Sequence, residues 1–77
     1  MIYWKRGFHF EAWYLKEPKG EALVTISKDG NIVRKFLFPA YKIWNIAAHA
    51  DDIIDSELAG NHEGYLIAGS KLLVQTD

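Results

Sequence analysis

The segment 22-ALVTISKDGNIVRKFLF-38 decides how this chain folds, because it predicts a β-hairpin. Apolar and polar side chains alternate on both sides of 28-KDGN-31, and Asp-Gly between alternating β-branched residues is the strongest short-range hairpin signal. On the first strand, Ala22, Val24 and Ile26 share a face. On the second strand, one face is predicted to carry Ile32, Arg34, Phe36 and Phe38, and the other Val33, Lys35 and Leu37.

Two further strands are predicted before the hairpin. The side chains of 8-FHFEAWYL-15 alternate in the way that is typical of a strand. Arg6-Gly7 indicates a turn or bulge, which would separate this strand from a short one at 2-IYWK-5. One face of the longer strand would carry Phe8, Phe10, Ala12 and Tyr14, and the other His9, Glu11, Trp13 and Leu15.

From Ala40 to Ala59 the apolar residues recur at helical spacing, and Gly60 is the expected C-terminal stop. An alternative is a break near His49, with Asp51 capping a second helix. In the continuous helix, the apolar arc would consist of Ile43, Ile46, Ala47, Ala50, Ile53, Ile54 and Leu58. The opposite side would carry Lys42, Asn45, His49, Asp52 and Ser56.

After the turn 60-GNHEG-64, the segment 65-YLIAGSKLLVQT-76 is predicted to be strand, either one bent strand or two. The element order is then β-β-β-β-α-β. The predicted fold class is α+β: a mainly antiparallel sheet of four to six strands with one amphipathic α-helix packed on one face, in a single domain of residues 1–77. The second sheet face would carry apolar side chains without a helix over them, so we expect the sheet to curl on itself or to meet a partner.

The composition excludes several classes of protein. The chain has no cysteine, so it forms neither a disulfide framework nor a zinc-thiolate site. No window has the length and apolar character of a bilayer span, which predicts no membrane partner and a cytoplasmic location. Gly60, Gly64 and Gly69 lie in separate turns and do not form a phosphate-binding loop, so no cofactor is predicted.

The net charge of −1 conceals a split between the two halves of the chain. Residues 1–38 contain seven Lys or Arg and four acids, whereas residues 39–77 contain two Lys and six acids. A near-neutral total argues against a dedicated nucleic-acid binder of the strongly basic kind. The split would instead orient docking, because complementary charge chiefly sets encounter rate and register.

Four acids, Asp51, Asp52, Asp55 and Glu57, lie in the second half of the predicted helix, where the helix dipole disfavours them. Three explanations are open. The carboxylates could pair with the basic strands or face solvent, which is what charge runs usually do. They could bind a hard cation such as Mg²⁺ or Ca²⁺. They could also begin a second helix, where the dipole would favour them.

Two histidines supply the candidates for a metal or catalytic site. His49 and Asp52 are three residues apart on the predicted helix, and His62 and Glu63 follow in the turn. Together with Asp55, they could form a mixed nitrogen and oxygen metal site or an acid and base pair, which would make a metal-dependent enzyme the third functional hypothesis. No nucleophile is coupled to them and the spacing is not H-E-x-x-H, so we predict ordinary surface residues and neither a metal nor a catalytic site.

The N-terminal segment 3-YWKRGFHFEAWY-14 combines aromatic and basic residues, a combination suited to stacking the bases of a single-stranded nucleic acid. This is the alternative functional hypothesis, and its cations would be Lys5, Arg6, Lys16, Lys28, Arg34 and Lys35. The sequence favours a non-catalytic interaction domain that binds a protein partner or self-associates, as a homo-oligomer, through an aromatic-rich sheet face. The predicted partner-binding residues are Trp13, Leu15, Lys5, Arg6, Arg34 and Lys35.

Overall fold

In the computed structural model, which describes residues 1–73, two tight turns order the first half of the chain into antiparallel strands. Arg6 and Gly7 have φ of 52° and 81°, and Asp29 and Gly30 have φ of 53° and 81°. Positive φ at both central residues defines the type I′ turn, whose twist matches that of the flanking strands. The sequence predictions of a hairpin at Asp29-Gly30 and of a turn at Arg6-Gly7 are confirmed.

The strands form one five-stranded antiparallel sheet in the order β1-β2-β3-β4-β5. A 3₁₀ segment and two helices lie between the fourth and fifth strands. The α+β class and the mainly antiparallel sheet are therefore confirmed. The elements are β1 (Ile2–Lys5), β2 (Phe8–Tyr14), β3 (Glu21–Lys28), β4 (Asn31–Pro39), the 3₁₀ segment (Ala40–Asn45), α1 (Ile46–Ala59), α2 (Glu63–Ala68) and β5 (Lys71–Leu72).

The hydrophobic core lies between one face of the sheet and the helices. Alternate residues of the three central strands point to this face, as the period of two requires. In β3, for example, Val24 is fully buried and is paired across the ladder with Phe36 on one side. The buried apolar residues are Phe8, Phe10, Ala22, Val24, Ile26, Phe36, Phe38, Ile43, Ile46, Ala50, Ile53, Ile54, Tyr65 and Ala68.

The predicted helix 40–59 is continuous past His49 but begins differently from the prediction. Its first six residues form the 3₁₀ segment, with a kink at Lys42 (φ −117°, ψ 23°). The α-helix then runs through the acidic residues to Gly60, which caps it in the left-handed conformation (φ 74°). The alternative of a helix break near His49 is therefore wrong, and the predicted stop at Gly60 is confirmed.

The buried side of α1 is rotated relative to the predicted arc. Ala47 and Leu58 are exposed, and Ser56, predicted to face away from the core, is buried. The reason is the second helix: α2 packs along the flank of α1 that contains Ser56, and the Ser56 hydroxyl accepts a hydrogen bond from the Gly64 amide at 2.6 Å. The flank with Ala47 and Leu58 faces solvent.

The prediction of strand for residues 65–76 is wrong for its first part. Residues 65–68 belong to α2, whose residues Gly64, Tyr65 and Ala68 are buried, and within residues 65–73 strand structure is confined to the two residues of β5. A six-residue helix is shorter than two turns, so its apolar residues give no readable helical period. Residues 74–76 of the predicted strand lie outside the described part of the chain.

None of the helices formed by residues 1–73 combines the length and the apolar character required to cross a membrane.

Candidate functional site

The face of the sheet opposite the helices, called the open face below, has no element of residues 1–73 packed over it. It is the candidate site because it carries side chains that the fold does not use for its core. The ladder register sets these side chains in three rows across the strands. The central row is Ile2, Glu11, Thr25 and Lys35; one flanking row is Trp13, Leu23, Leu37 and Lys71; the other is Trp4, His9, Ser27 and Ile32.

The predicted faces of β2 and β4 place most of these residues correctly. His9, Glu11 and Trp13 share the open face, as expected, and Leu15 follows them half-buried just beyond the strand. Ile32 was predicted to face the same way as Arg34. The β-bulge opposite Ile26 and Ser27 shifts the register by one residue at Val33, so that Ile32 pairs with Ser27 on the open face.

Large apolar side chains are exposed on this face. Trp13 is 49 % exposed, Trp4 68 % and Ile2 66 %. Trp4 stacks on the imidazole of His9, with ring centroids 4.2 Å apart, and the two rings form one wall of a shallow depression of about 220 Å³ that reaches Ser27 and Asp29. Thr25, on the central strand, is the buried centre of the face.

The charges on the open face are balanced in sign. An oxygen of Glu11 lies 3.7 Å from His9 Nε2, and Lys71 Nζ lies 3.5 Å from an oxygen of Glu21, which begins β3 on the same face. Lys35 forms no salt bridge with any of residues 1–73. Glu11 and Lys35 are thus charged groups that stand in one row, on either side of Thr25, without pairing with each other.

The predicted partner-binding residues Lys5 and Arg6 do not belong to the open face. Lys5 Nζ is 2.9 Å from Asp51 Oδ2, and Arg6 Nη1 is 2.9 Å from Asp55 Oδ1 and 3.3 Å from Asp51 Oδ1. The hydrogen bond from Lys5 lowers the pKa of Asp51 below 3.8, and the hydrogen bond to Asp51 raises the pKa of Lys5. These contacts join the β1-β2 turn to α1. Two of the four acids, Asp51 and Asp55, are therefore paired with basic residues of the N-terminal strands.

Arg34 is also engaged within the chain. Its Nε donates to Glu57 Oε1 at 2.8 Å, which raises the pKa of Arg34, and the same oxygen accepts a hydrogen bond from the Tyr65 hydroxyl. Burial, together with that bond to Glu57, raises the pKa of Tyr65. A third acid of α1 is therefore paired, whereas Asp52 forms no salt bridge within residues 1–73.

The remaining cations of the nucleic-acid hypothesis are scattered. Lys28 Nζ lies 4.8 Å from the centroid of the Phe8 ring, on the helix-covered side of the sheet. Lys16 is exposed in the β2-β3 connection. Lys35 is the member of the predicted set that lies on the open face, on β4, two strands away from Trp13 on β2.

Of the candidate metal or catalytic residues, Asp52, Asp55 and Glu63 line one depression of about 210 Å³, whereas His49 and His62 are not among its lining residues. The His49 ring lies against Phe38, with centroids 6.1 Å apart, and the His62 ring meets the edge of Tyr65 at 6.5 Å. Asp55 is occupied by Arg6. Within residues 1–73, no three His, Asp or Glu side chains are placed so that they could hold one metal ion.

Tyr65 and Ser56 are the structurally important residues that sequence reasoning missed. Tyr65 is fully buried against Phe36, with ring centroids 5.2 Å apart, and Ser56 receives Gly64. The available signal was Gly64 itself, because a glycine followed by an alanine four residues later permits close helix contact. Gly69, which ends α2 with φ 77°, was a second signal, as a typical C-cap.

Comparisons of this chain with protein-family models, with curated proteins and with solved structures found no match.

Proposed function

We propose that this chain is a non-catalytic interaction domain that binds a protein, either a foreign partner or a second copy, through the open face. The observation that carries the proposal is the exposure of Ile2, Trp4 and Trp13 in adjacent rows of one sheet surface. Contiguous apolar surface of this kind is uncommon on monomers and is typical of protein interfaces, where aromatic residues are enriched.

The balance of charge favours a protein over a nucleic acid. The open face carries Glu11 and Glu21 as well as Lys35 and Lys71, so it has no excess of positive charge to hold phosphates. Lys5, Arg6 and Arg34, on which the nucleic-acid hypothesis depended, are paired with acids of α1. A nucleic acid would have to break these ion pairs before its phosphates could pair with the same cations.

Other exposed apolar side chains lie on the helical layer but give a weaker case. Tyr41 and Trp44 belong to the 3₁₀ segment, and Leu66 and Ile67 belong to the short helix α2. Each pair occupies a different element, whereas the open-face residues are neighbours by backbone register. We therefore use Trp44, 76 % exposed, as the matched control for Trp13.

The proposal is tested by comparing Trp13→Glu with Trp44→Glu. Both changes put a carboxylate in place of an indole on the surface. Because Trp13 is half-buried, its variant should lose more stability than Trp44→Glu, and urea denaturation first checks that each variant is folded. Sedimentation velocity at tens of micromolar should show that Trp13→Glu reduces association and Trp44→Glu does not. Equal effects of the two changes would argue against the open face.

Nucleic-acid binding is tested separately with mixed single-stranded oligonucleotides at low salt. We expect no salt-dependent binding, because few cations lie on the open face together with the aromatic residues. A cytoplasmic location stays a prediction from the sequence, and fractionation of cells that express a tagged chain would test it.

A further inference from the structure

We propose that the partner on the open face is a second copy of this chain, related by a two-fold axis parallel to β3, so that Glu11 of each copy meets the partner's Lys35. This inference rests on the proposed function and adds the identity and register of the partner.

The charges on the open face match under this two-fold rotation. β3 is the middle strand of five, and β2 and β4 lie on either side of it. A rotation of 180° about an axis above β3 and parallel to it exchanges the positions of β2 and β4. Glu11 on β2 and Lys35 on β4 stand in the same row, on either side of Thr25. The rotation therefore places Glu11 of each copy opposite Lys35 of the other copy, so the attraction occurs twice.

The apolar row matches under the same operation. Trp13 on β2 and Leu37 on β4 flank Leu23 in one row. The rotation stacks Trp13 over the partner's Leu37 and Leu23 over the partner's Leu23. At the axis, Thr25 and Ser27 are small, so two sheets can approach to about 10 Å, the usual spacing of packed sheets.

The other face-to-face arrangement is electrostatically unfavourable. With the two-fold axis across the strands, each strand would lie over its own copy. Glu11 would then face the partner's Glu11, and Lys35 the partner's Lys35. Facing like charges suppress association, whereas complementary charges set the register of an interface. Both arrangements keep the strand directions of the two sheets aligned, as sheets that pack face to face prefer, so the charges decide between them.

The area of the open face approaches what a stable dimer buries. The five strands comprise 30 residues, and at about 4.8 Å between strands and about 3.3 Å per residue they cover roughly 480 Å² in projection. The accessible area exceeds the projected area because the side chains are corrugated. A standard interface buries about 800 Å² per partner.

The test is a charge exchange followed by sedimentation equilibrium. We expect Glu11→Lys and Lys35→Glu each to raise the dimer dissociation constant about tenfold or more, because each turns two attractions into two repulsions. The double variant Glu11→Lys/Lys35→Glu restores both pairs and should return to within about threefold of the parent. An equimolar mixture of the two single variants should form a heterodimer. If a single variant fails to fold, Glu11→Gln and Lys35→Gln should shift the constant in the same direction.

The outcomes separate this inference from the proposed function. Restoration by the double variant supports the two-fold register. The inference is overturned if the parent stays monomeric at about 100 µM. It is also overturned if none of the charge exchanges changes the dimer dissociation constant. If Trp13→Glu dissociates that dimer while the exchanges have no effect, the open face is still the interface and only the register is wrong. If the parent dimerises and neither Trp13→Glu nor the exchanges alter the association, the dimer uses another surface, and the self-association part of the proposed function fails as well.

Discussion

The hydroxyl of Tyr65, on α2, donates a hydrogen bond to the carboxylate of Glu57, on α1. The oxygen that accepts it, Oε1, also accepts from Arg34 Nε of β4 at 2.8 Å. One carboxylate thus joins both helices to the sheet, and its side chain is only 12 % exposed. Because the acceptor is charged and largely shielded from water, these bonds are of the stronger kind.

Tyr65→Phe tests this junction. The change keeps the buried ring but removes the hydroxyl that bonds Glu57, and it should reduce the free energy of unfolding by about 1.5 kcal/mol, the range for a hydrogen bond to a charged group. Urea denaturation measures it. Tyr41→Phe is the control, since Tyr41 is exposed, and an equal loss in both variants would contradict the role given to the Glu57 bond.

The helix phase is tested with Ile54→Ala. Ile54 is fully buried, so emptying its site should cost about 2 to 4 kcal/mol. Leu58→Ala removes an exposed side chain of the same helix and should cost below about 0.5 kcal/mol. Thermal and urea unfolding of the two variants should therefore differ widely. A small effect of Ile54→Ala would show that the helix is rotated from the described position.

The contact between the two helices is tested with Gly64→Ala. A Cβ at Gly64 would overlap the backbone carbonyl of Asp52 and crowd the Ser56 hydroxyl. Since backbone atoms cannot move aside cheaply, we expect a loss of about 2 to 3 kcal/mol in the free energy of unfolding. Leu66→Ala, at an exposed position of α2, should have little effect and serves as the control. Unchanged stability of Gly64→Ala would mean that α2 packs elsewhere.

The pairing of Asp51 with Lys5 and Arg6 predicts a dependence of stability on acid. Since the folded-state pKa of Asp51 is lowered from 3.8, its contribution is complete above that pH and disappears as the pH falls through the folded-state value. Asp51→Asn should therefore melt below the parent at pH 7, and the difference should close as the pH falls through the folded-state pKa of Asp51.

Asp52→Asn is the matched control for Asp51→Asn, because Asp52 forms no salt bridge within residues 1–73. Its melting temperature should follow that of the parent throughout the pH range. Added salt should narrow the difference for Asp51→Asn, since both partners are solvent-exposed. A difference that does not shrink on acidification, and that added salt does not narrow, would mean that the Asp51 side chain stabilises the fold without its charge.

The sequence by itself determined the features that depend on neighbouring residues. Asp29-Gly30 specifies a type I′ turn because Asp and Gly reach positive φ more readily than most residues, and Gly7 indicates the turn or bulge after β1. Alternation in β2 placed His9, Glu11 and Trp13 on one face. Gly60 ended the long helix for an equally local reason. Most of the open face could therefore be predicted before the structure was seen.

Only the tertiary structure decided the features that join distant parts of the chain. Lys5 and Arg6 are 45 or more residues from the acids they bind, and no local pattern shows that α1 passes beside the β1-β2 turn. The helical state of residues 63–68 also depends on distant contacts, because a six-residue helix forms too few internal hydrogen bonds to be stable alone. Tyr65 is held in this helix by its burial against Phe36 and its hydrogen bond to Glu57. Propensity acts over a few residues, whereas burial acts on whatever the fold brings together, and in this chain burial decided the last helix.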